Sequence, residues 1–330
     1  MNKIAIIGDG GWGAAMALIL ERAGNEVMVW GRDPEYLEEM RGTRRNRLYL
    51  PGAVYPDRIV FEPDLRQALS WADLPIVAVP SKFLRSTLRD AAGAVRPGVT
   101  VLSLTKGFDP ETAERPTQVI RDCLETERTA ALSGPSHAEE VASFLPASVV
   151  VASDELETAR RIQKVVSSPR FRAYASPDVV GVEVAGAVKN VIALAAGVVH
   201  GLGLGDNAMA ALATRGLAEM TRLGIAMGGD PGTFAGLAGM GDLFTTCVSP
   251  HGRNRRVGEL LAKGMCLDDV LAGMNGVPES VTTTGIVMRL ADRHHVEMPI
   301  ARQVAAILWE AKRPEDALDD LMNRAGKDEY

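Results

Sequence analysis

The rhythm of apolar and polar positions along this chain changes once, near residue 177. Before it, short continuous apolar runs alternate with stretches of helical periodicity; after it only the helical period remains. Lys3-Ile4-Ala5-Ile6-Ile7 is a run of the kind shown by a strand buried on both faces. It leads directly into Gly8-Asp9-Gly10-Gly11-Trp12-Gly13, a helical stretch from Ala14 to Ala23, and a second strand, Val27-Met28-Val29-Trp30. Further strands are predicted over 58–61, 74–79, 99–104, 129–133, 148–152 and 171–174. Ser81 and Asp154 read as helix caps, Asp154 with Glu157 at the capping-box spacing. Beyond 177 the pattern predicts helices over 182–200, 208–227, 253–263, 280–293, 301–311 and 315–325, separated by glycine-rich joints at 201–205 and 236–241. The expected fold class is α/β: a Rossmann-type, mostly parallel sheet over residues 1–177, then an all-helical domain over 178–330.

A GxGxxG turn between a strand and a helix is a dinucleotide signature with a mechanism. Gly8 permits the tight turn, Gly10 lets backbone amides approach a pyrophosphate, and Gly13 lets helix pack on strand; the phosphates sit at the positive helix end. NAD-selective sites ordinarily place Asp or Glu at the end of the second strand to accept from the ribose hydroxyl. Here the strand ends Trp30-Gly31-Arg32-Asp33-Pro34. Arg32 suits a 2′-phosphate, although a guanidinium can also lie flat on adenine without selecting. Asp33 reads as a helix N-cap followed by Pro34 at the first helical position. NADP(H) is the expected cofactor, with NAD(H) as the alternative.

Composition narrows the partners. The 330 residues suffice for two domains, and a net charge of −6 argues against a general nucleic-acid binder. The cluster Arg41, Arg44, Arg45 and Arg47 reads as a solvated loop or a rim near a cofactor phosphate. Three scattered cysteines (Cys123, Cys247, Cys266) and five histidines form neither a disulfide framework nor a metal-ligand pattern. A reducing cytoplasm and no metal are expected. The apolar stretch 185–199 contains Lys189 and Asn190, which argues for a helix buried in protein over a membrane span.

Three loops at strand ends carry polar chemistry: Val79-Pro80-Ser81, Leu104-Thr105-Lys106-Gly107 and Ser133-Gly134-Pro135-Ser136-His137. The last lacks the GxSxG order of a nucleophile elbow, so Ser136 reads as a polar anchor. Lys189 lies among small and apolar side chains, where a lysine either snorkels outward or is desolvated and useful as an acid or base. Asp242 either caps the following helix or orients that lysine. Arg253 and Asn254 open a helix, as a phosphate receptor or as a plain basic turn.

These motifs together resemble the bacterial glycerol-3-phosphate dehydrogenase [NAD(P)+] family over essentially the whole chain. Those carrying the likeness are Gly8–Gly13, Trp30-Gly31-Arg32, Leu104–Gly107, Ser133–Ser136, Gly186-Ala187-Val188-Lys189-Asn190, Thr214-Arg215-Gly216-Leu217-Ala218-Glu219, Gly239-Met240-Gly241-Asp242-Leu243, Gly252-Arg253-Asn254-Arg255-Arg256, Val277-Pro278-Glu279 and Glu297-Met298-Pro299-Ile300. The resemblance implies reversible reduction of dihydroxyacetone phosphate to sn-glycerol 3-phosphate for phospholipid synthesis. It implies Lys189 as proton donor and acceptor, with Lys106, Gly134, Ser136, Asp242, Gly252, Arg253 and Asn254 around the substrate. Cofactor contacts implied are Gly8, Gly10, Gly11, Trp12, Gly13, Arg32, Lys106, Ala138, Arg253, Val277 and Glu279. Three positions depart from the family habit: glycine stands for serine at 11 and at 252, and Asp9 puts a negative charge beside the pyrophosphate turn. Oligomeric state stays open, a homodimer or a monomer being equally compatible with the apolar helical region.

Overall fold

The computed structural model describes residues 1–249, 252–274, 278–326 and 328. The chain divides into two compact units, Met1–Glu183 and Val184–Tyr330.

The first unit is built on an eight-stranded sheet. Its strands are β1 (Lys3–Ile7), β2 (Glu26–Trp30), β5 (Val60–Glu62), β6 (Leu74–Val77), β7 (Val101–Ser103), β8 (Thr129–Ser133), β9 (Ala147–Ala152) and β10 (Phe171–Ser176), while β3 (Arg45–Asn46) and β4 (Leu50–Val54) form a separate antiparallel hairpin. The order across the sheet is β10-β9-β8-β7-β6-β1-β2-β5, parallel throughout except for β8 against β9. Alternation of side chains sends Ile4 and Ile6 into a core on one face and Ala5 and Ile7 into a core on the other. Both faces are therefore buried, which is why the strands read as unbroken apolar runs. The chain leaves β1 toward β2 on one side and later returns to β6 on the other. That reversal makes the carboxyl ends of β1 and β6 the switch point at which such sheets bind ligands.

Of three capping signals, Asp33 lands on its residue and Ser81 and Asp154 miss by one. Asp33 caps the helix Pro34–Thr43, accepting from Glu35 N at 3.0 Å and Tyr36 N at 3.3 Å. Ser81, by contrast, is the first residue inside Ser81–Leu88, behind a Pro80 N-cap. Asp154 is drawn off to Arg121 (2.5 Å), leaving Glu155 at the start of Leu156–Val166. His295 lies past the end of Glu279–His294 in a left-handed conformation (φ 55°).

The second unit is helical. Val179–Gly201, which begins in the first unit, is the one helix among the described residues long and apolar enough to cross a membrane, and 94% of its apolar window is buried within the protein. The joint over 236–241 is itself helical: Leu237–Gly241 forms a π-helical turn running into Asp242–Val248. Two motifs without catalytic chemistry are explained here. Glu219, 2% exposed on Gly205–Ala226, accepts from Ile300 N (2.6 Å) and Ala301 N (3.2 Å), closing the open amides of Pro299–Trp309.

Burial pushes the Glu219 carboxyl up from its ordinary 4.5 to about 7, against the pull of the two amides and of Arg222 and Arg324. A raised folded-state pKa means that the native chain binds more protons than the unfolded one. Stability is then full below pH 4.5 and falls as pH rises toward 7, by at most about 3 kcal/mol. Urea unfolding across that interval is expected to show this decline in the wild type and its absence in Glu219→Gln, which does not titrate. An unchanged slope in the variant would assign it to other groups.

Candidate functional site

Two groups of residues, one in each unit, carry the chemistry the sequence pointed to. The first surrounds the turn after β1. Gly8 has φ +121°, and a β-carbon there would lie 2.9 Å from Ala78 O, at the end of β6. A β-carbon on Gly13 would lie 2.2 Å from Gly8 O, so only glycine lets the helix Gly11–Arg22 close on the turn. Gly10 faces open space, with nothing among the described residues within 4 Å of its built β-carbon. The helix it caps has no side-chain cap bond and no acid in its first turn. Bare amides at a positive helix end beside open space fit a pyrophosphate.

The departure at Gly11 has a steric cause. The hairpin of β3 and β4 brings Tyr49 O to 2.8 Å from where a β-carbon would stand, so a serine fits only if the hairpin moves. The same built atom lies 3.8 Å from Ala138 Cβ, which sets Ala138 beside the turn. Trp12 packs against Phe171, ring centroids 6.3 Å apart. Of the arginine cluster, Arg44 is structural, donating to Tyr55 O, Pro56 O and Ile59 O. Arg32 stands exposed just beyond β2. In the same unit Lys106 Nζ donates to Gly134 O at 3.1 Å and Ser136 Oγ to the same carbonyl at 2.8 Å, so the loops after β7 and β8 meet.

The second group centres on Lys189. It is buried, 6% exposed, and resolves the alternatives of snorkelling and desolvation in favour of the latter. Its Nζ donates to Asp242 Oδ1 at 2.5 Å and Thr246 Oγ1 at 2.7 Å. Asp242 and Thr246 share one helical face at i, i+4, and the π-helical turn aims that face at the lysine. Asp242 thus orients an ammonium at the start of a helix whose N-cap is Gly241. Beside it Cys247 is held as an inert thiol, pushed up to about 12 by burial against the opposing pull of Lys189 and Arg255.

Asn190 extends the group. Its Nδ2 donates to Glu279 Oε2 at 3.1 Å, and its Oδ1 accepts from Asn254 Nδ2 at 2.9 Å. Asn254 Oδ1 in turn accepts from Ser280 N at 3.0 Å, so Asn254 is a linked residue and not a loose donor. Arg253 is exposed at the start of Arg253–Ala262, behind a Gly252 N-cap with no side-chain bond. At Gly252 the nearest atom among the described residues to a built β-carbon is Thr246 O at 3.5 Å and φ is −70°, so these residues leave room for the family serine. Val277 lies outside the described residues. Asn190, Thr246 and Asn46 were not singled out from sequence. Thr246 had a readable signal, its four-residue spacing from Asp242, and Asn190 its place beside Lys189. Among the described residues no group of three or more His, Cys, Asp or Glu is set to hold a metal ion.

Comparison with known proteins follows the same lines. Residues 3–159 match the N-terminal domain, and residues 178–319 the C-terminal domain, of NAD-dependent glycerol-3-phosphate dehydrogenase. The chain is 46% identical to the glycerol-3-phosphate dehydrogenase [NAD(P)+] of Prosthecochloris aestuarii, covering 99% of both chains. It is 47% identical to the glycerol-3-phosphate dehydrogenase [NAD(P)+] 2 of Salinibacter ruber, covering 100% of this chain and 96% of that one. The crystal structure of glycerol-3-phosphate dehydrogenase from Coxiella burnetii is similar with a TM-score of 0.93 and 36% identity, over 98% of this chain and 99% of that one.

Proposed function

This chain belongs to the NAD-dependent glycerol-3-phosphate dehydrogenase family, and we propose that it reversibly reduces dihydroxyacetone phosphate to sn-glycerol 3-phosphate in the cytoplasm, feeding glycerophospholipid synthesis. Dinucleotide binding falls to residues 1–177, and substrate binding and proton transfer chiefly to residues 178–330. The observation that carries this reading is the buried ammonium of Lys189 held between Asp242 and Thr246.

A bound NADPH or NADH supplies the hydride that C2 of the ketone accepts. Lys189 gives its proton to the C2 oxygen as negative charge develops there, and takes it back in the oxidation. Asp242 and Thr246 keep the lysine nitrogen aimed at little reorganisation cost. Arg253, on a helix start with open amides, receives the phosphate dianion, with Gly252 and Asn254 beside it. Lys106, Gly134 and Ser136 supply the remaining substrate contacts, and Lys106 also reaches the dinucleotide. The turn from Gly8 to Gly13, with Arg32, Ala138, Val277, Glu279 and Arg253, contacts the dinucleotide. Binding energy gathered at the remote phosphate positions the reacting carbon.

Arg253→Ala tests the assignment of the phosphate. With the dinucleotide saturating, so that the cofactor contact of Arg253 is set aside, the expected result is a loss of kcat/KM for dihydroxyacetone phosphate of about 10²-fold, with little change for dihydroxyacetone itself, since a charge-assisted bond contributes roughly 1.5–3 kcal/mol. Equal losses for both ketones would remove the phosphate from Arg253.

A further inference from the structure

Strand β2 is followed directly by Gly31, where dinucleotide folds ordinarily carry the acid that reads the ribose. The place is nonetheless occupied by a carboxylate. A β-carbon built on Gly31 would lie 2.6 Å from Oδ2 and 2.8 Å from Cγ of Asp9, and 3.0 Å from Leu37 Cδ2. Asp9 therefore fills the volume in which a side chain at position 31 would begin, reaching it from the middle of the glycine-rich turn. Glycine at 31 is what makes room for it.

The backbone of Asp9 is pinned by a buried polar network outside the catalytic group. Asn46 Nδ2 donates to Asp9 O at 2.7 Å and to Tyr55 Oη at 3.2 Å, while Tyr36 Oη donates to Asn46 Oδ1 at 2.8 Å. Asn46 is fully buried, and the hairpin of β3 and β4 exists locally to deliver it. Arg32 follows Gly31 directly, so a cation and a carboxylate flank one strand end.

We propose that Asp9 is the dinucleotide-selecting residue of this chain: its carboxylate replaces the acid missing at position 31, accepts from the ribose 2′-hydroxyl and repels a 2′-phosphate. It opposes Arg32, and the balance of the two sets the preference between NADH and NADPH. A like charge set against the unwanted ligand is an economical way to discriminate. Burial raises the Asp9 pKa, its own backbone N–H lowers it, and Asp33 raises it further. The inference rests on the dehydrogenase reading for its context, and the test below separates the two.

Dissociation constants of NADH and NADPH, and kcat/KM with each, are measured for wild type, Asp9→Asn and Arg32→Ala. Asp9→Asn keeps the shape and removes the charge. It is expected to move the NADPH-to-NADH affinity ratio toward NADPH by ~10-fold or more, with Arg32→Ala moving it the opposite way. Equal changes for both dinucleotides in Asp9→Asn, or an unmoved ratio, overturn the proposal. Binding needs no ketone. A shifted binding ratio in an enzyme that turns over no dihydroxyacetone phosphate would uphold Asp9 and reject the substrate. Thermal unfolding of Asp9→Asn verifies that the turn is intact.

Discussion

Lys189→Ala is expected to lower kcat for ketone reduction by on the order of 10²–10⁴-fold, the contribution of a positioned general acid, while leaving dinucleotide affinity nearly unchanged. The argument is geometric. The lysine is 6% exposed, and its ammonium is committed to Asp242 and Thr246 within 2.5 and 2.7 Å. The same burial carries a second consequence. Deleting the ammonium breaks its pair with the Asp242 carboxylate, 2% exposed, and breaking such a buried pair destabilises by roughly 3–5 kcal/mol. The double variant Lys189→Met with Asp242→Asn removes both charges at similar volume. It is expected to fold better than Lys189→Ala and to be equally inactive. Steady-state rates with dinucleotide binding and unfolding curves on all three proteins check this, and activity in the folded double variant would sink the assignment.

Gly258→Ala is expected to be strongly damaging to the helical unit. A β-carbon at Gly258 would stand 2.0 Å from Leu194 O and 2.7 Å from Val198 N; one at Gly197 would stand 1.9 Å from Arg255 O. The helices Val179–Gly201 and Arg253–Ala262 thus cross backbone to backbone through a pair of glycines. Neither neighbour is a flexible side-chain end, so the helices must separate, at a cost of about 3 kcal/mol, the upper part of the range for overpacking. The crossing also sets the 2.9 Å bond between Asn254 and Asn190, next to Lys189. Loss of stability in Gly258→Ala should therefore come with a raised KM for the phosphorylated ketone. Unfolding curves and KM measured on the same preparation decide this, and a stable variant with ordinary KM would mean that the crossing is dispensable.

Much of this was legible because burial on both faces leaves unbroken apolar runs, and because a glycine-rich turn after the first of them has few other uses. The long-range facts were not. Lys189 and Asp242 stand 53 residues apart, and no local pattern distinguishes a lysine that snorkels from one that meets a carboxylate. The β3 and β4 hairpin was missed because its segments, Arg45-Asn46 and Leu50-Pro51-Gly52-Ala53-Val54, mix charge, proline and glycine and lack a strand alternation. With it were missed the burial of Asn46 and the steric reason for Gly11. The Thr214–Glu219 motif was visible as a likeness, but its glutamate caps a helix that begins some eighty residues later. Ser81 and Asp154 marked helix starts correctly to within a residue or two, while Pro80 and Arg121 decided the cap itself.

The most direct test of the central claim is to add dihydroxyacetone phosphate to the wild-type protein with NADPH, and separately with NADH, and follow loss of the reduced dinucleotide while identifying the product. The account predicts steady oxidation with sn-glycerol 3-phosphate formed in equal amount. A folded protein that binds either dinucleotide and forms no sn-glycerol 3-phosphate would contradict it.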